Sequence, residues 1–317
     1  IESEIKNFKI HGPEVTMKIV KMAMLDHRGL FVENLSADFT YTKTNIRLEK
    51  LDLETEESFM KGQVILKYDR KDFSDFNNKV KFDIEVDSAR LATNDIRYFY
   101  NELGKNKKFN LKASIKGTLN DLTATNLRLI DNYNSQIIGN VNFKNLFGKE
   151  NQFFYMNGNF SKVSSTYDNL VGLLPNVLGK KLPTSLKKLG QFVLNGRAEI
   201  TAKSIDTDFY LRTVLGNIKS NLIMTDIDNI DDATYVGNII LEDFDIGSFL
   251  DRKDIRKVSL NVDVDGKGFT EKYLDTKFSG DIFKLHYNNY TYTKVIVDGS
   301  FKKPFFKGKV YVNDPNL

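Results

Sequence analysis

Apolar and polar residues alternate with a period of two along most of the chain. In the clearest run, Lys81, Asp83, Glu85 and Asp87 alternate with Val80, Phe82, Ile84 and Val86. Successive side chains of a β-strand point to opposite faces, so the alternation predicts half-buried strands with one apolar and one polar face. The pattern recurs from positions 15, 60, 109, 137, 154, 192, 218, 235, 258 and 306.

Turn-forming residues separate these runs. The segments Thr118–Asp121 and Val264–Gly268 are rich in Asn, Asp or Gly, and we predict turns at both. The spacing of the runs favours a meander of antiparallel strands. The chain is therefore predicted to be all-β.

Glycine recurs within the apolar face of many predicted strands. A glycine inside a strand indicates a bend or a close approach to the backbone, and coiling of the sheet is the ordinary explanation. The positions are Gly62, Gly139, Gly158, Gly196, Gly237, Gly280, Gly299 and Gly308.

Helical periodicity is confined to short stretches. We predict one helix across 94–104, with Asn94 as the N-cap and Gly104 in the C′ position. Further short helical segments are predicted at Tyr167–Leu174, Thr184–Leu189 and Ile246–Leu250. These are too short to cover a large sheet. The apolar face must then be covered by another sheet, by the same sheet folded over, or by something that is not protein.

Composition indicates an ordered chain, with 24 Phe and 14 Tyr but only 5 Pro. The net charge of +4 is spread over 46 basic and 42 acidic residues, which argues against a nucleic-acid-binding domain. The absence of Cys excludes a disulfide framework, a thiolate metal site and a cysteine nucleophile. The chain begins with Ile1 rather than Met, and we expect an internal piece of a larger protein.

No motif indicates catalysis or metal binding. His11, His27 and His286 lie far apart without partners at metal-ligand spacing. The acidic run 226–232 lacks the glycine and the terminal glutamate of a calcium-binding loop. We predict no catalytic residue, no metal, no cofactor and no enzymatic activity.

Several segments, in their order along the chain, carry a resemblance to a known family. They are Glu57–Gly62, Phe73–Phe76, Asp87–Leu91, Asp95–Phe99, Phe244–Leu250, Val258–Leu260, Gly266–Phe269, Tyr287–Tyr292, Asp298–Gly299 and Gly308–Leu317. In these segments the chain resembles the TamB-type proteins (translocation and assembly module) of Bacteroidetes-like bacteria, within the AsmA-like, bridge-like lipid transfer group. The resemblance covers most of the chain from about Glu57 onward.

The resemblance implies an elongated, curved antiparallel sheet folded over into an apolar groove, a β-taco. It implies a periplasmic protein of the cell envelope, anchored in the inner membrane outside this segment and reaching the outer membrane. The implied partners are phospholipid in the groove and an Omp85-type outer-membrane protein. The implied function is lipid transport between the membranes, with a linked role in outer-membrane biogenesis or protein assembly. The alternative is a structural or adhesive β-solenoid or scaffold protein with a conventionally packed interior.

The predicted organisation has four parts. A β-rich start covers 1–56, groove repeats cover 57–166, a helical insert covers 167–190, and further groove repeats cover 191–317. The insert carries apolar residues beside lysines, and we expect it at the edge or mouth of the groove as a lid or a membrane-facing element. Plain capping of the sheet is the alternative. The predicted lipid-binding residues are Val64, Leu66, Val80, Phe82, Ile84, Leu111, Ile115, Val141, Phe143, Phe154, Leu194, Leu222, Ile239, Leu260 and Val262.

Overall fold

The computed structural model describes residues 1–101, 103–146, 154–173, 175, 184–229, 231–268, 272–302 and 305–315. Strands account for 67% of the structure and helices for 11%, so the all-β prediction is confirmed. The strands are β1 (Glu2–His11), β2 (Glu14–Leu25), β3 (Phe31–Tyr41), β4 (Asn45–Thr55), β5 (Phe59–Lys67), β6 (Lys81–Ala92), β7 (Lys108–Thr118), β8 (Asp121–Asp131), β9 (Gln136–Lys144), β10 (Tyr155–Ser165), β11 (Phe192–Thr201), β12 (Ser204–Thr213), β13 (Gly216–Thr225), β14 (Thr234–Asp245), β15 (Ile255–Lys267), β16 (Asp275–Tyr287), β17 (Tyr290–Lys302) and β18 (Phe305–Val312). The α-helices are α1 (Phe76–Lys79), α2 (Thr93–Ile96), α3 (Tyr167–Leu173) and α4 (Ile246–Leu250), and 3₁₀ helices span Arg70–Asp75 and Thr184–Leu189.

The chain divides into two compact units. The first comprises residues 1–154 and 169–180, and the second comprises residues 155–168 and 181–317. The predicted boundary after residue 56 falls inside the first unit, between β4 and β5, which pair directly. The predicted insert 167–190 is divided between the two units.

Each unit is an antiparallel meander. In the first unit every strand from β1 to β9 pairs with the next strand along the chain. In the second unit the strands from β10 to β18 pair in the same sequential way. Short hairpin connections favour this arrangement, because antiparallel neighbours need no crossover.

The first helical prediction is corrected. Helix α2 starts at Thr93, ends at Ile96 and has Ala92 as its N-cap, so it is shorter than the predicted segment 94–104. The Asn94 amide donates to Glu57 instead of capping a helix. Gly104 is not a helix terminus but a contact point, because a Cβ there would lie 1.9 Å from the carbonyl oxygen of Gly172.

The other helical predictions agree with the structure where it describes them. Helix α3, the 3₁₀ helix Thr184–Leu189 and helix α4 lie at the predicted positions. Predicted insert residues Leu174, Val177, Leu178, Lys180 and Lys181 lie outside the described residues. The described portion contains no helix long and apolar enough to cross a membrane.

One predicted turn is a strand. Thr118–Asp121 does connect β7 to β8, but Val264–Lys267 continues β15. Gly266 pairs directly with Tyr235 of β14, and its missing side chain leaves room for the tyrosine ring. The glycine therefore serves packing across the strands and not a change of chain direction.

Candidate functional site

Apolar side chains form rows across the strands of the first unit. Directly opposed residues of antiparallel strands have side chains on the same face, so the register defines each row. One row contains Ile46, Leu66, Phe82, Gly117, Leu122 and Phe143. The next row contains Leu48, Val64, Ile84, Ile115, Ala124 and Val141. We call this side the first apolar face.

The second unit repeats the arrangement. One row contains Leu194, Leu211, Ile218, Leu241, Leu260, Ile282, Val295 and Val312. A second contains Phe209, Ser220, Ile239, Val262, Gly280, Val297 and Val310, and a third contains Thr207, Leu222, Gly237, Val264, Phe278, Gly299 and Gly308. This side is the second apolar face.

The structure places thirteen of the fifteen predicted lipid-binding residues on these faces. Those on the first apolar face are Val64, Leu66, Phe82, Ile84, Leu111, Ile115, Val141 and Phe143. Those on the second are Leu194, Leu222, Ile239, Leu260 and Val262. Within each unit, the residues come together because their strands are neighbours.

The remaining two predicted residues are placed differently. Val80 precedes β6, is 0% exposed and donates its backbone N–H to the Phe76 carbonyl oxygen, so it has no surface for a lipid. Phe154 precedes β10, and its ring centroid lies 6.5 Å from that of Phe143. Val80 is thus a packing residue, whereas Phe154 extends the aromatic part of the first apolar face.

Partial exposure distinguishes these faces from the interior of a two-sheet sandwich. The largest wholly buried side chains among the described residues are only Val80 and Thr93. Leu66, Phe82 and Leu222 are half-buried, although each has apolar neighbours on its own face. The inner faces of a sandwich interdigitate and leave their side chains buried. Val141, Val262 and Val297 on these faces are buried, whereas the half-buried residues leave the cover of both faces incomplete.

The opposite face of the first unit is polar, as the alternation predicts. Asp83 lies directly opposite Lys116, and Glu85 lies opposite Ser114. The Asp83 carboxylate accepts a hydrogen bond of 2.7 Å from Lys67 Nζ and lies 3.6 Å from Lys116 Nζ. The hydrogen bond from Lys67, followed by the charges of both lysines, lowers the pKa of Asp83.

At several of the recurring glycines, the backbone of a neighbouring strand comes too close to leave room for a side chain. A Cβ on Gly62 would lie 1.9 Å from the Glu85 carbonyl oxygen, and one on Gly237 would lie 1.9 Å from the Asn221 carbonyl oxygen. Both glycines have positive φ, +154° and +150°. These positions therefore set the spacing of the sheet and provide no direct evidence of a ligand.

Aromatic rings cover other glycines on the apolar faces. The Tyr235 ring lies over Gly266, and the Phe306 ring lies over Gly299, at distances where a Cβ would collide with the ring. Such aromatic–glycine pairs fix the register of neighbouring strands. The sequence indicated the glycines but not their aromatic partners, since the partners lie on other strands.

Two cavities lie on the polar faces of the strands. In the second unit, a cavity of about 890 Å³ lies along a groove between two rows of polar side chains. Its walls include Asn238, Asp263, Asp265, Lys277 and Asp298. In the first unit, a cavity of about 550 Å³ lies at the ends of β4, β5 and β6. Both of these cavities are therefore lined mainly by polar side chains.

The described residues contain no group of three or more His, Cys, Asp or Glu placed to hold a metal ion. In the acidic run 226–232, the Asn229 amide bonds Asp232, and Lys267 Nζ lies 3.1 Å from Asp232. Burial raises the pKa of the Tyr235 phenol, whose hydroxyl bonds Thr276.

The candidate site is thus a pair of broad, incompletely covered apolar surfaces, one on each unit. Searches against protein-family models, curated proteins and solved structures find no match to this chain.

Proposed function

We propose that the apolar faces bind the acyl chains of phospholipids and carry them along the rows between the inner and outer membranes. The observation that carries this proposal is the continuity of the apolar rows, in which half-buried residues such as Ile84 and Ile115 lie beside buried ones such as Val141. On the first apolar face the row from Leu48 to Val141 crosses six consecutive strands. A ligand moving along such a row exchanges one apolar contact for another without entering water.

The energetics of lipid transfer favour a continuous lining. Burial of a methylene group contributes about 0.8 kcal/mol, so exposing two sixteen-carbon chains to water costs on the order of 25 kcal/mol. One leaflet of a bilayer core is about 15 Å thick, and neighbouring strands are about 4.8 Å apart. An acyl chain therefore spans about three to four strands and would contact several rungs of a row at once.

The cellular setting follows from the family resemblance. We propose a periplasmic location, with an inner-membrane anchor supplied outside this segment and an Omp85-type protein as the outer-membrane partner. Outer-membrane biogenesis or protein assembly would then depend on lipid supplied through the groove. In this proposal the protein is a conduit and not an enzyme.

The alternative function is a structural or adhesive scaffold with a conventionally packed interior. Small apolar clusters do exist on single faces, such as the one around Ile19, Leu35 and Leu51. These clusters join neighbouring strands side by side. Leu48 and Val64 of the row pack against this cluster and remain half-buried, which favours the lipid proposal, because a scaffold gains stability by covering such surface.

A charge placed within a row tests the proposal. Leu222→Asp puts a carboxylate on the half-buried second apolar face, where an unpaired charge disfavours an acyl chain. The matched control is Asn221→Asp, because Asn221 is exposed on the polar face and its side-chain oxygen accepts from the Asn238 N–H. We expect Leu222→Asp to lower the copurified phospholipid per mole of protein about fivefold or more, with no change in the control.

Mass spectrometry of lipid extracts measures occupancy, and circular dichroism checks the fold. Ile115→Asp on the first apolar face repeats the experiment independently. Envelope integrity in cells carrying the variants tests transport, since a lipid that moves along a whole row must pass the substituted position. Wild-type protein free of phospholipid, or folded Leu222→Asp and Ile115→Asp variants with normal occupancy, would rule out the lipid function.

A further inference from the structure

A second site lies on the polar face of the first unit, at the ends of β4, β5 and β6. We call it the rim cavity, and its volume is about 550 Å³. It has more cationic than anionic side chains in its lining, and outside the lining Glu49 pairs with Arg47 at 3.2 Å. The charged lining residues are Arg47, Lys67, Lys79 and Lys81, with Asp69 and Asp72.

The strand register concentrates positive charge at the rim cavity. Lys67 of β5 lies directly opposite Lys81 of β6, and like charges in directly opposed positions destabilise a sheet. Asp83 partly compensates Lys67, at 2.7 Å. Lys79 and Lys81 form no ion pair within the part of the chain that the structure describes. An anion bound between the lysines would relieve this repulsion.

Two buried atoms of cavity-lining residues have no hydrogen-bond partner among the described residues. They are the acceptor Asn45 Oδ1 and the donor Arg47 Nε. Leaving such a group unsatisfied destabilises the folded state. A ligand in the cavity reaches these atoms only if the two side chains turn toward it, and it must then supply an acceptor to Arg47 and a donor to Asn45. A phosphate oxygen meets the first need, and a hydroxyl or ammonium group meets the second.

A series of aromatic rings connects the rim cavity to the first apolar face. Tyr68 lines the cavity and packs edge-on against Phe73 at 4.6 Å between ring centroids. Phe73 contacts Phe76 at 6.3 Å, and Phe76 contacts Phe82 at 5.9 Å. Phe82 belongs to the first apolar face. The series gives a path around the strand ends from a charged cavity to an apolar surface.

We propose that the rim cavity binds a phosphate ester that also carries a hydrogen-bond donor, such as the ethanolamine phosphate headgroup of a phospholipid. Arg47, Lys79 and Lys81 hold the phosphate, and Asn45, with Asp69 and Asp72, receives the donor. This site is separate from the acyl-chain surface, so a soluble probe without acyl chains tests it independently.

Calorimetric titration of the whole chain with glycerophosphoethanolamine and with inorganic phosphate measures the site. We expect Lys81→Gln and Arg47→Gln each to weaken binding of glycerophosphoethanolamine about tenfold. The matched control is Lys61→Gln, which removes an exposed lysine of the same strand as Lys67, paired with Asp52 at 2.9 Å. Asp83→Asn should tighten binding, because it releases Lys67 from its ion pair.

The source of the phosphate is identified by adding short acyl chains. Soluble dihexanoyl phosphatidylethanolamine should bind about tenfold tighter than glycerophosphoethanolamine if its chains reach the Phe82 surface. Equal affinities would assign the site to soluble phosphate compounds instead. No heat of binding up to about 10 mM, or equal affinities in wild type, Lys81→Gln and Arg47→Gln, would overturn the proposal. Failure of the acyl-chain function alone would leave glycerophosphoethanolamine binding intact.

Discussion

At the residue scale, Asp83 couples the polar face of the first unit to pH. Lys67 lowers the pKa of its carboxyl below the ordinary value of 3.8. A carboxylate with a depressed folded-state pKa stabilises the fold above the ordinary value, and this contribution is lost as the pH falls through the folded pKa. We expect Asp83→Asn to lower the free energy of unfolding at pH 7 by about 0.5–1 kcal/mol, and by less below about pH 4. Urea denaturation at both pH values measures this, with the exposed Asp121→Asn as control. An equal loss at both pH values would contradict the role of the carboxylate.

At the element scale, glycines set the spacing between strands of the second unit. Gly237 of β14 has a φ of +150°, and a Cβ there would lie 1.9 Å from the Asn221 carbonyl oxygen of β13. We expect Gly237→Ala to destabilise the unit by about 2–4 kcal/mol, because the strained φ adds to a backbone collision. Gly12→Ala is the control, since its φ of +56° is also positive but nothing lies within 4 Å. Thermal or urea unfolding compares the two variants, and similar losses would show that the collision contributes nothing.

At the scale of the whole molecule, the exposed strands β1 and β18 and the large accessible surface both predict association with other chains. Every residue of β1 and of β18 is exposed. The accessible surface is 19000 Å², against about 13,500 Å² for a typical folded monomer of this mass. Exposed strands with apolar side chains pair readily with other chains. We expect Val310→Lys together with Val312→Lys to reduce concentration-dependent association of the isolated chain, measured by light scattering. Val214→Lys, at an exposed turn position, is the control, and an equal reduction there would exclude a role for β18.

The sequence alone predicted the antiparallel strands and the apolar side of most of them, because alternation is a local property of consecutive residues. It succeeded for β6, where Phe82, Ile84 and Val86 keep a strict period of two. It did not single out β1, β3, β4, β8, β12, β16 or β17. In β3 and β8 the pattern is interrupted by β-bulges. In β8, for example, the bulge between Ala124 and Leu127 places both residues on the apolar face although they are three positions apart.

Only the tertiary structure decided which distant residues meet. Asp95 of α2 accepts hydrogen bonds from Thr55 and Ser58, at the connection between β4 and β5, at 2.7 and 2.5 Å. The burial of Val80 and the pairing of Tyr235 with Gly266 could likewise be seen only in the tertiary structure. The rim cavity is the clearest case, because Arg47, Lys67 and Lys81 are ordinary charges in sequence. Their convergence follows from the register of three strands, and no local pattern determines that register.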